Sequence, residues 1–408
     1  MNLFKENGYF TLGTGKLMHG NSKDGWDKWG EPHGQNYGPF YFDGEKVMPN
    51  PATPKPFSEI GPIDGSFGPL SAGGISNGKR NEKGWILGWN RKPLRYINDD
   101  DRDLLPDELH ANWAEHQFKA MSKEQNSQPF FMGIGFVRPH TPLNAPDKYF
   151  NMFPIETLQL PKWIKEDIND TYYVENFGDK LKGSKYYKTI LESYNGDREI
   201  AIKHFLQAYL ACVAFVDEQV GKVVKAIENS KYRDNTVIIF TSDHGWQMGE
   251  KNYLFKNSPW EESARIPLIF KLPNQTVGTS VDQPVSLIDI FPTLIDLCNL
   301  KGDHRKNTEA GDIGGYSLKP FLNGDGKWQG PSGALTLIGN NGYSKSENEQ
   351  TYSYRTRQFR LIRYGNGKKE LYDHYNDPHE WQNIANNKKN KKLIRQLNSE
   401  MDNILINR

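Results

Sequence analysis

Thr241-Ser-Asp-His-Gly-Trp-Gln-Met-Gly-Glu250, followed by Lys256, is the stretch on which the fold turns. Just before it, Val237-Ile-Ile-Phe240 is a short apolar run, the pattern of a buried parallel strand. Its carboxyl end delivers an acid and an imidazole side by side, Asp243 and His244, and then Gly245. In open α/β sheets, ligands sit outside the carboxyl ends of strands. A carboxylate beside an imidazole there is a ready metal or acid–base pair. The same residues also fit a capped turn, with Ser242 or Asp243 as N-cap and His244 on the surface. The rest of the chain separates the two.

Upstream, apolar residues recur at 205, 209, 213, 216, 220, 223, 224 and 227, a helical spacing that feeds the 237–240 strand. The same order occurs earlier. A helix is expected from about 105 to 122, with Pro106 in its first turn. A strand at 130–136 then ends in Arg138-Pro-His140-Thr-Pro142. A third strand is expected at 267–272, and a helix at 287–297 opened near Pro292. This alternation predicts an α/β fold, a mostly parallel mixed sheet sandwiched by helices.

Residues 20–80, rich in Gly, Pro, Asn and Trp, read as a long ordered loop or insertion, and residues 144–200 as a lid or rim. After about residue 330 the pattern changes. Short strands are expected at 334–338, 351–356, 359–364 and 370–374, then a helix at 388–405 with Leu393, Leu397, Met401 and Ile404 on one face. The expected division is a large domain, 1–330, and a small antiparallel α+β subdomain, 331–408.

The bulk numbers agree. The chain has 408 residues, long enough for one large α/β domain and an appendage. With 51 Lys+Arg against 50 Asp+Glu the formal charge is +1, which gives no global pointer to nucleic acid or an anionic membrane. No apolar run is expected to span a membrane. Two cysteines, Cys212 and Cys298, read as small core residues and exclude a framework of bridges. The first residues lack the apolar stretch of a signal peptide and look like the tail of a helix stopped at Gly8.

Further candidates sit at strand ends. Gly13-Thr-Gly-Lys16-Leu-Met-His19 follows a strand expected at Tyr9–Leu12 and places a cation and an imidazole three residues apart. His140 stands between two prolines that hold its backbone extended. Lys256 follows the aromatic pair Tyr253 and Phe255. Taken singly, each reads as a solvated or structural residue. Taken together, Lys16, His19, His140, Asp243, His244 and Lys256 suit a tetrahedral oxyanion bound beside a metal ion, and they are expected to converge on one pocket.

The order of motifs resembles the type I sulfatases of the alkaline phosphatase superfamily, and within them the iduronate-2-sulfatase branch. The resembling stretches are Gly8-Tyr-Phe-Thr-Leu-Gly-Thr-Gly-Lys-Leu-Met-His19, Pro129-Phe-Phe-Met-Gly-Ile-Gly-Phe-Val-Arg-Pro-His-Thr-Pro142 and Phe240-Thr-Ser-Asp-His-Gly-Trp-Gln-Met-Gly-Glu250. Glu262-Ser-Ala-Arg-Ile-Pro-Leu-Ile-Phe270 and Glu370-Leu-Tyr-Asp373 with Asp377-Pro-His-Glu380 complete a collinear set. The resemblance implies a formylglycine nucleophile and one divalent cation, Ca²⁺. It implies Asp243 and His244 as metal ligands, and Lys16 and His19 at the formylglycine. His140 and Lys256 would hold the sulfate, and Trp246 would line the sugar site. It further implies a sulfated, uronate-containing carbohydrate as substrate and a periplasmic or secreted location.

The sequence departs from that pattern in one respect. It contains no Cys/Ser-x-Pro/Ala-x-Arg motif, from which formylglycine is made, and the family's N-terminal aspartate pair would lie before Met1. The expectation is an N-terminally truncated chain, inactive alone, that works with a separate N-terminal fragment or descends from a mis-set start. Two other functions stay open: a catalytically dead carbohydrate-binding relative, and a phosphonate or phosphate monoester hydrolase of the same superfamily.

Overall fold

A computed structural model describes residues 1–18, 25–30, 37–124, 128–177, 181–305, 311–324, 327–339 and 349–406. The chain divides into two compact units, Met1–Leu160 with Lys188–Thr236, and Pro161–Tyr187 with Val237–Arg408. The strand-rich tail expected from residue 331 falls inside the second of these.

In the first unit, Phe10–Gly15 pairs in parallel with Lys28–Trp29 on one side and Phe130–Gly135 on the other. The ladder runs from Phe10 opposite Phe130 to Gly15 opposite Gly135, so both expected strands end at one edge. A Cβ on Gly15, whose φ is +75°, would lie 1.9 Å from the Gly135 carbonyl oxygen; only glycine admits this closure. The helix Pro106–Lys123 starts as expected, with Pro in its first turn and Glu108 reaching back to the Leu105 amide at 2.7 Å.

The 31-residue helix Arg198–Glu228 packs against Pro106–Lys123. It buries a stripe of Ala201, Phe205, Ala208, Cys212, Phe215 and Gln219. The expected stripe through 209, 213, 216 and 220 is rotated away, and Val213 is 37% exposed. The cause is alanine: Ala201, Ala208 and Ala211 carry little hydropathy but let two helices approach closely. Contrary to the expectation drawn from the sequence, this helix is long and apolar enough to cross a membrane. Its buried stripe and its helix partner make it the core helix of this unit. Cys212 lies within that stripe, and burial pushes its thiol up to about 12.

Within the stretch read as an ordered loop or insertion, the described residues contribute three strands to a small sheet that Gly84–Ile86 and Pro93–Tyr96 complete. Five short strands form an antiparallel sheet in the order Val47–Met48, Phe40–Phe42, Gly84–Ile86, Pro93–Tyr96, Ser76–Asn77. Phe40, Phe42 and Ile86 form its core. Residues 144–200 likewise contain helices, among them Asp147–Phe150 and Tyr173–Phe177.

In the second unit, Ile238–Thr241 pairs with Leu268–Lys271, but antiparallel, and among the described residues this is its one partner. The expectation of a buried, central parallel strand is corrected: Phe240 is 42% and Ile269 57% exposed. Four apolar residues in a row identify a strand without specifying the direction of its neighbour. The tail follows its pattern closely. Gly333–Ile338, Thr351–Thr356, Phe359–Arg363 and Lys369–Asp373 make a four-stranded antiparallel sheet. The helix Lys391–Ile406 lays Leu397 and Met401 onto Leu335, Tyr354, Leu361 and Leu371.

Under the first strand, the Thr14 hydroxyl meets His110 Nδ1 at 2.8 Å in a buried setting, and burial lowers the imidazole pKa to about 4 from 6.5. The unfolded chain therefore takes up this proton at a higher pH than the folded protein. The contribution to stability is complete above pH 6.5 and is lost as pH falls towards 4. His110→Gln should flatten that part of the urea-denaturation profile, removing about 2–3 kcal/mol of the loss between pH 7 and 4.

Candidate active site

Two segments, one in each unit, carry the candidate residues. In the first unit, Lys16 directly follows Phe10–Gly15, and its amide donates to the Gly135 carbonyl at 2.9 Å. His140 follows Phe130–Gly135, and its amide donates to the Val137 carbonyl at 2.8 Å. Between them lies Tyr37. Lys16 Nζ sits 5.5 Å from the Tyr37 ring centre, and the Tyr37 and His140 rings are 5.0 Å apart. His140 Nδ1 faces the Thr141 carbonyl at 2.7 Å, so Nδ1 carries a proton and Nε2 is the atom that changes protonation.

Arg138 builds this arrangement. Its buried guanidinium donates to the carbonyls of Tyr37 at 3.2 Å, Gly38 at 2.8 Å and His140 at 3.4 Å. The Arg138 and Val137 amides in turn donate to Asp107, in the first turn of the Pro106–Lys123 helix, at 3.0 and 2.9 Å. Arg138 stands in a motif that by itself gives it no role, and Tyr37 stands in none. The signal for Arg138 was its place between a strand end and a proline; Tyr37 had none. His19 lies outside the described residues.

In the second unit, Asp243 and His244 leave the Ile238–Thr241 strand side by side. His244 Nδ1 meets the Gly245 carbonyl at 2.9 Å, and His244 Nε2 stands 3.6 Å from Asp243 Oδ1. Two donors at that spacing subtend about 90° at an ion roughly 2.5 Å from each, a normal angle for adjacent ligands of a Ca²⁺-sized cation. They fit such an ion as two of its ligands; a full shell needs about six to eight.

The loop doubles back on itself. The Gln247 amide donates to the Phe255 carbonyl and the Gly249 amide to the Tyr253 carbonyl, both at 3.0 Å. This places the Trp246 ring 5.5 Å from Phe255, next to Lys256. A second seam fixes the loop to the short helix Glu261–Ala264: Gly245 donates to Ser263 at 2.9 Å, and Trp246 to Glu262 at 2.8 Å. A Cβ on Gly245 would lie 2.1 Å from the Glu262 carbonyl oxygen, so the seam requires glycine. In this unit, then, Asp243, His244, Trp246 and Lys256 are carried by one doubly fastened loop.

Among the described residues, one other group has the spacing of metal ligands: Glu261, His374 and Glu380. Arg360 answers both carboxylates, bonding Glu261 and Glu380, and Arg355 Nε reaches Glu261 at 3.1 Å. Their negative charge is already matched, and the cluster is an ion-pair network. Burial alone would raise the Glu380 pKa; Arg360 and the His374 hydrogen bond outweigh it and hold the carboxyl at about 2.

A family model described as Sulfatase matches residues 1–300, and one described as N-sulphoglucosamine sulphohydrolase, C-terminal, matches residues 249–407. A sulfatase of Formosa agariphila is 32% identical over 394 residues, covering 97% of this chain and 67% of that protein. Iduronate 2-sulfatase of Mus musculus is 26% identical over 325 residues, covering 73% and 53%. A solved structure described as a complex with its substrate D-glucosamine-2-N,6-O-disulfate aligns with a TM-score of 0.61 at 19% identity, over 98% of this chain and 80% of that one. The chain spans between about half and two thirds of the length of these curated relatives.

Proposed function

This chain belongs to the sulfatase family, and from that premise we propose that it carries the sulfate- and ion-handling residues of a sulfuric ester hydrolase acting on a sulfated, uronate-containing sugar. The observation that supports this most directly is the Asp243–His244 pair, donors 3.6 Å apart with the imidazole anchored on the Gly245 carbonyl. In this reading residues 1–330 are the catalytic part and 331–408 its C-terminal subdomain.

The roles follow from the side chains. Lys16 and Lys256 offer ammonium groups to sulfate oxygens, and the charge developing there is where fixed cations contribute most. His140 has Nδ1 committed to the Thr141 carbonyl. It therefore donates a proton to a leaving oxygen from Nε2, and must be imidazolium to do so. Asp243 and His244 hold two positions of a divalent cation, Ca²⁺ by family resemblance. Trp246, braced on Phe255, presents a ring for the sugar. In the family a formylglycine supplies the nucleophile, and the cation offsets the charge of the bound sulfate.

These 408 residues contain no Cys/Ser-x-Pro/Ala-x-Arg motif, so in this reading the nucleophile comes from a further segment that carries it, supplied in the test as a partner polypeptide. The proposed location is periplasmic or extracellular, where sulfated polysaccharide is met. The test assays the 408-residue chain on a chromogenic aryl sulfate and on sulfated uronate oligosaccharides, alone and with that partner. No turnover is expected alone, and Ca²⁺-dependent turnover with the partner. Lys16→Ala or His140→Ala should then lower kcat/KM by about 10²-fold or more. Faster turnover of phosphate or phosphonate esters would overturn the sulfate assignment, and turnover by the chain alone would overturn the need for a partner.

A further inference from the structure

Glu380 is buried and holds a left-handed backbone, φ +57°. That region is unusual for a non-glycine residue and is strained. Such a conformation persists only where the surroundings impose it, and here the surroundings converge on one residue. One carboxylate oxygen of Glu380 accepts from Arg360 and, at 2.9 Å, from His374 Nε2. The other accepts from the Glu261 amide at 2.9 Å, at the start of the Glu261–Ala264 helix. Its carbonyl accepts from the Lys251 ammonium, which also pairs with Asp167 in a buried setting.

These contacts touch both flanks of the loop that carries Asp243, His244, Trp246 and Lys256. On one flank, Glu380 holds the helix whose Glu262 and Ser263 carbonyls receive the Trp246 and Gly245 amides. On the other, it holds Lys251, itself in a left-handed turn at φ 54° with Asn252 at φ 51°. We propose that Glu380 is a positioning residue: a buried hub in the C-terminal sheet region that fixes the 243–256 loop from both sides. Its meaning for catalysis rests on the function proposed above; the fastening itself does not.

Glycine separates this role from that of a plain turn. If position 380 needed only its backbone shape, Glu380→Gly would relieve the strain and leave the loop as protected as before, or more so. If the side chain is the fastener, Glu380→Gly loosens the loop. Amide hydrogen exchange on the full chain reads this directly. In Glu380→Gly, peptides covering 244–249 should exchange at least tenfold faster and lose clearly more protection than the paired strands Thr351–Thr356 and Phe359–Arg363, which feel only the general destabilisation from an unpaired Arg360. Glu380→Gln keeps an acceptor for the Glu261 amide and should fall between wild type and Glu380→Gly. Asp402→Ala, which breaks the Arg363–Asp402 pair elsewhere in the same unit, should leave 244–249 unchanged. Unchanged protection of 244–249 in Glu380→Gly would overturn the proposal. So would an equal loss over 244–249 and the two strands in both Glu380 variants. Because the readout is exchange, a failed sulfatase assay would leave it standing.

Discussion

Arg360→Ala is expected to destabilise the second unit by about 3–5 kcal/mol, the largest single-residue effect in the molecule. The guanidinium is 1% exposed. It bonds the carboxylates of Glu261 and Glu380, the Ser353 hydroxyl at 2.7 Å and the Pro259 carbonyl at 3.2 Å. Deleting it leaves the buried Glu380 without its cation and the half-buried Glu261 with Arg355 alone, and this penalty exceeds the value of the bonds themselves. Lysine should restore only part of the loss, since one ammonium cannot reproduce a planar fork that serves several acceptors. The pH dependence identifies the cause. In the wild type Arg360 and His374 hold the buried Glu380 carboxyl down at about 2, against an ordinary 4.5, so its contribution is present above pH 4.5 and is lost as pH falls towards 2. Without Arg360 that acid limb should vanish, and the variant should be less destabilised at pH 5 than at pH 7. Urea titrations at the two pH values check both points; equal destabilisation at both would show that lost packing, rather than unpaired charge, dominates.

Gly245→Ala is expected to cost about 2–4 kcal/mol. The added methyl would meet the Glu262 carbonyl oxygen at 2.1 Å and that of Arg265 at 3.0 Å, and both are backbone atoms that cannot rotate aside. Either the loop or the Glu261–Ala264 helix must move, and the bonds from Gly245 to Ser263 and from Trp246 to Glu262 stretch with it. Gly221 provides the opposite case. It lies within the Arg198–Glu228 helix, and a Cβ there would meet nothing within 4 Å. Gly221→Ala should therefore stabilise its helix by about 0.5–1 kcal/mol. Denaturant midpoints of the two variants should shift in opposite directions, and a neutral Gly245→Ala would remove the argument for close approach at this seam.

Much of the fold was legible because it is written in short-range pattern. The helix starting at Pro106 announced itself through its proline, and the tail strands through short runs separated by turn residues. What escaped was long-range pairing. Phe40–Phe42 and Gly84–Ile86 are three-residue strands separated by some forty residues of glycine, proline and polar side chains, too short to carry a period. Direction escaped too, since Val237-Ile-Ile-Phe240 has no feature that distinguishes a parallel from an antiparallel neighbour.

The candidate residues of the two units divide along the same line. Asp243, His244 and Lys256 stand in a recognisable local motif, and Lys16 and His140 at strand ends. The residues that hold them were invisible as such. Arg138 acts through carbonyls about a hundred positions away, and Glu380 through a helix 119 positions upstream. Their side chains are common and their meaning lies in partners that composition cannot name. The left-handed conformation of Glu380 leaves no trace in the sequence, because glutamate is not the residue such a backbone normally selects.

The hub also imposes an order of events during synthesis. Lys251 precedes Glu380 by 129 residues. At about 5–20 residues per second, the ribosome completes the loop on the order of ten seconds before the residue that locks it. Over that interval the Asp243–Lys256 segment has left the tunnel while its fastener is still untranslated. The Asp243–Lys256 loop is therefore among the last parts of this unit to mature, and a nascent chain released before residue 380 would carry every one of its side chains without holding them in place.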